Sequence, residues 1–156
     1  RIIRGALAGA AATAAWSLAE VPVARALGHR FTDTRLLGRM APAGPWQVAG
    51  IAIHVANGAA FGAAFAALGR RGLRDGVAAA GIEVAATWPG MALMDRIHPD
   101  RRDGTWPRPL LTDPRVFAQE ALMHLLFGVV LGLGTAGSGA GDEPPGRAQG
   151  EHPATA

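Results

Sequence analysis

The sequence predicts an all-α protein: an integral membrane bundle of four transmembrane helices, built from a tandem duplicated helical hairpin. Three observations predict it. Four apolar segments have the roughly 20 residues that a helix needs to cross a bilayer. The chain of 156 residues is 49% hydrophobic and only 17% charged. The pattern His-x-x-x-Gly-x-x-x-Gly occurs twice in apolar surroundings, in HVANGAAFG from His54 and in HLLFGVVLG from His124, 70 residues apart.

The first segment, 5–27, is rich in alanine and is led by arginine, like a cleavable leader, but Glu20 and Pro22 in its distal part argue for retention. The second, 46–68, begins after Gly44-Pro45, contains no charged residue and meets Gly69 where a C-terminal cap belongs. The third, 76–94, is again alanine-rich, and Pro89 after Trp88 predicts a kink. The fourth, 116–133, starts behind Asp113-Pro114 and is expected to end at Gly134. These limits assign residues 1–134 to one four-helix transmembrane domain, with repeat units of about 5–69 and 76–134. Residues 135–156 mix Gly, Pro, Ala and acids without apolar periodicity, which predicts a disordered tail. Because alanine contributes little to insertion, the competing architecture is a soluble, alanine-packed bundle.

Composition narrows the chemistry. Without cysteine there is no disulfide, thiolate metal site or thiol catalysis. All 15 basic residues are arginines, in keeping with a GC-rich coding bias, and they flank the apolar runs instead of lining one face, so no nucleic-acid partner is indicated. No nucleophile–base arrangement, phosphate loop or nucleotide fingerprint occurs, and an enzyme is not supported.

Superposing the two motifs pairs His54 with His124, Gly58 with Gly128 and Gly62 with Gly132. More loosely, Gly5 pairs with Gly76 and Trp16 with Trp88. Each unit crosses twice, so two copies enter from the same side and are related by an axis along the membrane normal. Gly58, Gly62, Gly128 and Gly132 then read as packing positions, where helix backbones approach closely in a medium that supplies no hydrophobic drive.

Ionisable groups inside the spans are costly and therefore informative. Counting turns from the 1–2 and 3–4 loops places Glu20, His54, Glu83, Glu120 and His124 in one layer, with Glu83 the deepest glutamate. Glu120 and His124 share a helix face, as do His54 and Asn57. A divalent metal held by His54, Glu83, Glu120, His124 and Glu20 is one expectation. Iron of haem b ligated by the two matched histidines is a second, weaker one. The alternative is a hydrogen-bonded network that serves helix packing. In the 3–4 loop, His98, Asp100 and Asp103 are a candidate surface cation site, against the plainer expectation of a solvated loop with Trp106 anchored at the interface.

With the doubled motif behind an Ala/Gly-rich first span, residues 5–133 resemble uncharacterised small bacterial four-helix membrane proteins of the domain-of-unknown-function type. That resemblance implies architecture only. The expected partners are the lipid bilayer, a second copy of the chain or other membrane subunits. The expected role is a cation- or proton-handling one, transport-accessory or stress-related, with a metal- or haem-dependent redox protein as the alternative.

Overall fold

In the computed structural model, which describes residues 1–42 and 44–137, every regular element is helical. The chain runs α1 (Ile2–Ala26), α2 (Asp33–Met40), α3 (Trp46–Ala67), α4 (Gly72–Thr87), a 3-10 turn (Trp88–Gly90), α5 (Met91–Ile97), α6 (Pro99–Arg102) and α7 (Pro114–Thr135). Residues 138–156 of the expected tail lie outside the described residues.

Four helices are long and apolar enough to cross a membrane: α1, α3, the joined unit Gly72–Ile97, and α7. The joint in the third is the expected kink. Pro89 cannot donate to the helical ladder, and the backbone tightens into the 3-10 turn before α5 resumes. At the end of α3, Gly69 takes φ +77°, the left-handed position that stops a helix. Gly134 does not act this way. Helix α7 runs through it to Thr135, whose hydroxyl donates to the Leu131 carbonyl, and a Cβ on Gly134 would meet that of Ala8 at 2.7 Å. It is a close-approach position inside the helix.

Helix α1 packs on α3 and on α7, and α7 packs on α4. The long helices thus form an open row, α3–α1–α7–α4, whose two ends make little contact with each other. The inner faces are built from small residues. A Cβ on Gly9 would overlap the Gly58 carbonyl, and one on Gly62 the Gly5 carbonyl; a Cβ on Gly58 would overlap Thr13. Between α4 and α7, Gly76 faces the Gly128 carbonyl, and a Cβ on Gly132 would come within 2.7 Å of the Leu73 backbone. The two hairpins therefore pair alike, backbone against backbone through glycines, which maximises dispersion contact where lipid is the solvent. Ala8, Ala12 and Ala80 receive the larger Trp16, Phe65, Met123, Phe127 and Leu131 between them.

The outward faces carry Leu7, Leu18, Val48, Ile82, Leu122 and Leu125, all exposed. Soluble monomers rarely expose so many large apolar side chains on every long helix, which favours a lipid surround over the alanine-packed soluble bundle.

At one end of the row the connecting segments fold into a cap. Phe31, Met91, Trp106, Leu110 and Val116 form a second apolar core there. Trp106 is only 3% exposed and stacks on His98, so it is a core residue of the cap and not an interfacial anchor. Nor is the 3–4 connection a solvated loop. Asp100 is fully buried and receives two bonds from the Arg35 guanidinium and one from Arg39 Nε, while Asp95 accepts the Leu110 and Leu111 amides. Fully buried His98 accepts the Asp100 amide at Nδ1, which leaves Nε2 to donate to the Leu36 carbonyl, 3.1 Å away. Both ring nitrogens are committed, and the surface cation site expected at His98, Asp100 and Asp103 is instead the ion-paired hinge between α2 and α6.

Candidate functional site: a polar cleft between α3 and α4

Heptad-like spacing on the inner faces sets the site. On α1, Thr13, Trp16, Ser17 and Glu20 follow one another at helical intervals; on α3, His54, Asn57 and Phe61 do so; on α7, Glu120, His124 and Phe127. Because α3 and α4 end the row with little mutual contact, a cleft of about 860 Å³ opens between them, lined by part of these faces. His54, Glu83, Glu120 and His124 all line it, and so does Asp33 from the start of α2. Leu36, Met40, Phe61, Met91 and Phe127 make much of the remaining wall apolar.

Trp16 stands between the two motif histidines. Its ring meets His124 edge-on at 4.7 Å and His54 at 5.1 Å between centroids. Both imidazoles are buried and neither points to lipid. The indole fills the space that a haem ligated from both sides would need, so these histidines do not form a haem b site.

His124 Nδ1 lies 2.7 Å from the Glu120 carbonyl, an acceptor only, so this nitrogen carries a proton. Nε2 meets the Glu83 carboxyl at ion-pair distance. The Glu83 side chain is 36% exposed, against 7% for His124, so the glutamate sits at the mouth of the cleft. Glu20 and Glu120 are the buried ones, at 2% and 3%. Counting turns measures depth along the membrane normal; distance from the bundle axis is a separate coordinate, and on it Glu83 is the shallowest.

The Asp33 and Glu120 carboxyls lie close enough to interact directly. Asp33 Oδ2 and Glu120 Oε1 are buried and receive no N–H or O–H from elsewhere. Two ionised carboxylates are acceptors only and repel, so a single proton between them would turn repulsion into a hydrogen bond. Burial pushes the Asp33 carboxyl above its usual range, opposed by the positive potential of His54 and by the bond with Glu120. His54 completes the set, with Nδ1 3.4 Å from the Ser17 hydroxyl.

Glu20 belongs to a different structure. Its Oε2 accepts the amides of Asp33, at 2.9 Å, and Thr34, at 3.3 Å, while the Thr32 hydroxyl accepts that of Arg35. It caps α2, stabilised by the orphan amides and positive end of that helix, and it does not line the cleft. The expected metal centre is not supported. Among the described residues no three His, Asp or Glu side chains are grouped to hold an ion. The physical reason is that the expected ligands are spent on other partners: Glu20 on amides, Glu83 on His124, and Glu120 on Asp33.

Asp33 is the site residue that sequence reasoning misses, because it falls between the first two apolar segments. The signal was present: Thr32-Asp33 ahead of Leu36-Leu37 is an N-cap followed by a first-turn acid. What made it inconspicuous is the eight-residue length of α2.

No known protein family, curated protein or solved structure matches the chain.

Proposed function

We propose that the chain is a multi-pass protein of the cell membrane, that its two hairpins are tandem copies, and that its cleft loads and releases protons in a transport-accessory or stress-related role, without catalysing a reaction. One observation supports the functional part: a carboxyl–imidazole pair, Glu83 with His124, and a carboxyl–carboxyl pair, Asp33 with Glu120, line the same cleft, and each can share a proton. Glu83 at the mouth is the natural point of exchange with the surroundings, and the inner pair is the store. Each pair tolerates gain or loss of one proton by exchanging a hydrogen bond for an ion pair or a repulsion, which is how buried groups respond to pH without unfolding the bundle.

The test is infrared difference spectroscopy of the purified protein in detergent across a pH titration. A protonated-carboxyl C=O band at neutral pH, removed by Glu120→Gln or Asp33→Asn, is the expected result. Absence of that band in the parent protein would remove the reading.

A further inference from the structure

The cleft has the makings of a binding site as well as of a proton store. Its volume of about 860 Å³ is that of a site for a drug-sized molecule. Its open side lies between two helices whose outer faces are apolar, with Val48 and Ile51 exposed on α3 and Leu73 and Ile82 on α4. A ligand dissolved in the bilayer would reach it sideways, past Glu83 at the mouth. A second cavity of about 410 Å³, mostly apolar but reaching Arg70 and Asp75 at its far end, shares Phe61, Ala64 and Glu83 with the first and continues the groove along the same pair of helices. The apolar channel is therefore longer than the polar end alone, as the chain of an amphiphile requires.

The polar end selects the headgroup. Asp33 Oδ2 and Glu120 Oε1 are acceptors that receive no N–H or O–H from elsewhere. Facing or adjoining them are Glu83 from α4, His54 from α3, His124 from α7 and Glu20 from α1. Among the described residues no lysine or arginine lines this cleft. Acids thus outnumber bases, and one more positive charge is accommodated if one proton leaves. The ring faces of Trp16, Phe61 and Phe127 line the same cavity and favour a cation, while the Trp16 indole N–H is a buried donor without an acceptor.

Resting on the proton-loading reading above, we propose that the α3–α4 cleft binds a single-chain amphiphilic primary amine from the bilayer. Its ammonium displaces the proton shared by Asp33 and Glu120, and its chain lies along Phe61 and Ala64. A primary ammonium fits because it brings three donors to carboxyl oxygens that lack them. Binding is accompanied by release of one proton: the amine arrives charged at neutral pH, the Asp33–Glu120 pair goes from one proton to none, and net charge in the cleft is conserved.

The experiment is titration calorimetry of the full chain in an uncharged detergent, with dodecylamine as the probe and dodecanol and dodecanoate as controls. Two buffers of different ionisation heat count the protons. Dodecylamine is expected to bind once per chain with release of about one proton, and the controls not to compete. Asp33→Asn and Glu120→Gln should each weaken binding about tenfold or more, the scale of a charge-assisted hydrogen bond, and abolish the release. Ala64→Trp fills the groove without touching an acid; it should lose binding while the infrared band of the shared proton persists, which separates occupancy of the cleft from damage to the polar end. Equal binding of dodecanol, or amine binding that survives in Asp33→Asn and Glu120→Gln, would overturn the proposal. So would a dimer whose cleft is closed by the second copy and takes no amine. If the parent protein shows the infrared band but binds no amine, the ligand is wrong and the proton-loading reading stands; if the band is missing, that reading falls with it.

Discussion

Glu20 shows how much a single carboxylate can organise. It is the acceptor for the first amides of α2, and so it fixes where Asp33 sits relative to Glu120. Glu20→Ala should leave two buried donors without partners and lower stability by about 1–3 kcal/mol. Glu20→Gln keeps a carbonyl acceptor and should cost less. Thermal unfolding in detergent compares the two, and equal losses would show that the charge, not the acceptor, holds α2. Asp100 makes a pH prediction. Burial by itself would raise its carboxyl, but the Arg35 hydrogen bonds and charge, helped by His98 and Arg39, outweigh that and hold it below the usual range. A folded value below the unfolded one, about 3.9, means that Asp100 contributes stability above about pH 4 and that this is lost as pH falls through the folded value. The melting temperature of the parent protein should therefore drop more steeply from pH 6 to pH 3 than that of Asp100→Asn, which starts lower because two arginines lose their counter-charge. Parallel curves would count against the ion-paired hinge.

Among the elements, the glycine faces decide which helices may touch. A Cβ on Gly9 overlaps backbone of α3, which cannot rotate away as a side chain can. Gly9→Ala should therefore separate α1 from α3 and cost more than the usual benefit of alanine in a helix. Gly81 on α4 has nothing within 4 Å of the same added atom, and Gly81→Ala should be neutral or stabilising by up to about 1 kcal/mol. The pair is a sensitive comparison because the chemical change is identical. A Gly9→Ala protein as stable as its parent would mean that the α1–α3 approach is not a tight one. The same contacts bear on the cleft: the α4 glycine that packs backbone to backbone, Gly76, meets α7, and among the described residues α4 has no such glycine contact with α3.

Across the whole molecule, the exposed leucines, isoleucines and valines of every long helix require an apolar surround. The protein should sediment with membranes and resist extraction by alkaline carbonate. Release into the soluble fraction without detergent would restore the alanine-packed soluble bundle as the better account. The folded cap adds a second expectation at this scale. Because Asp100, His98 and Trp106 are buried under α2, the cap and the bundle share elements through Glu20 and Gln119, whose amide donates to the Phe31 carbonyl. They should unfold in one transition.

Four apolar runs, the proline kink at Pro89 and the placement of helices between prolines and glycines were readable from the chain, because hydropathy and backbone stereochemistry are local properties. The inward direction of His54 and His124 was readable too, since residues three or four apart share a face with the motif glycines. The partners were not. Glu20 looks like a ligand until the amides of α2 are seen to claim it. Glu83 looks deep until the gap between α3 and α4 leaves it at an opening, and Asp33 looks like a loop acid until it meets Glu120. Each of these depends on a contact between residues distant in sequence. Hydrogen bonds and shared protons are decided at distances near 3 Å, finer than any periodicity can resolve, so only the tertiary structure could assign them.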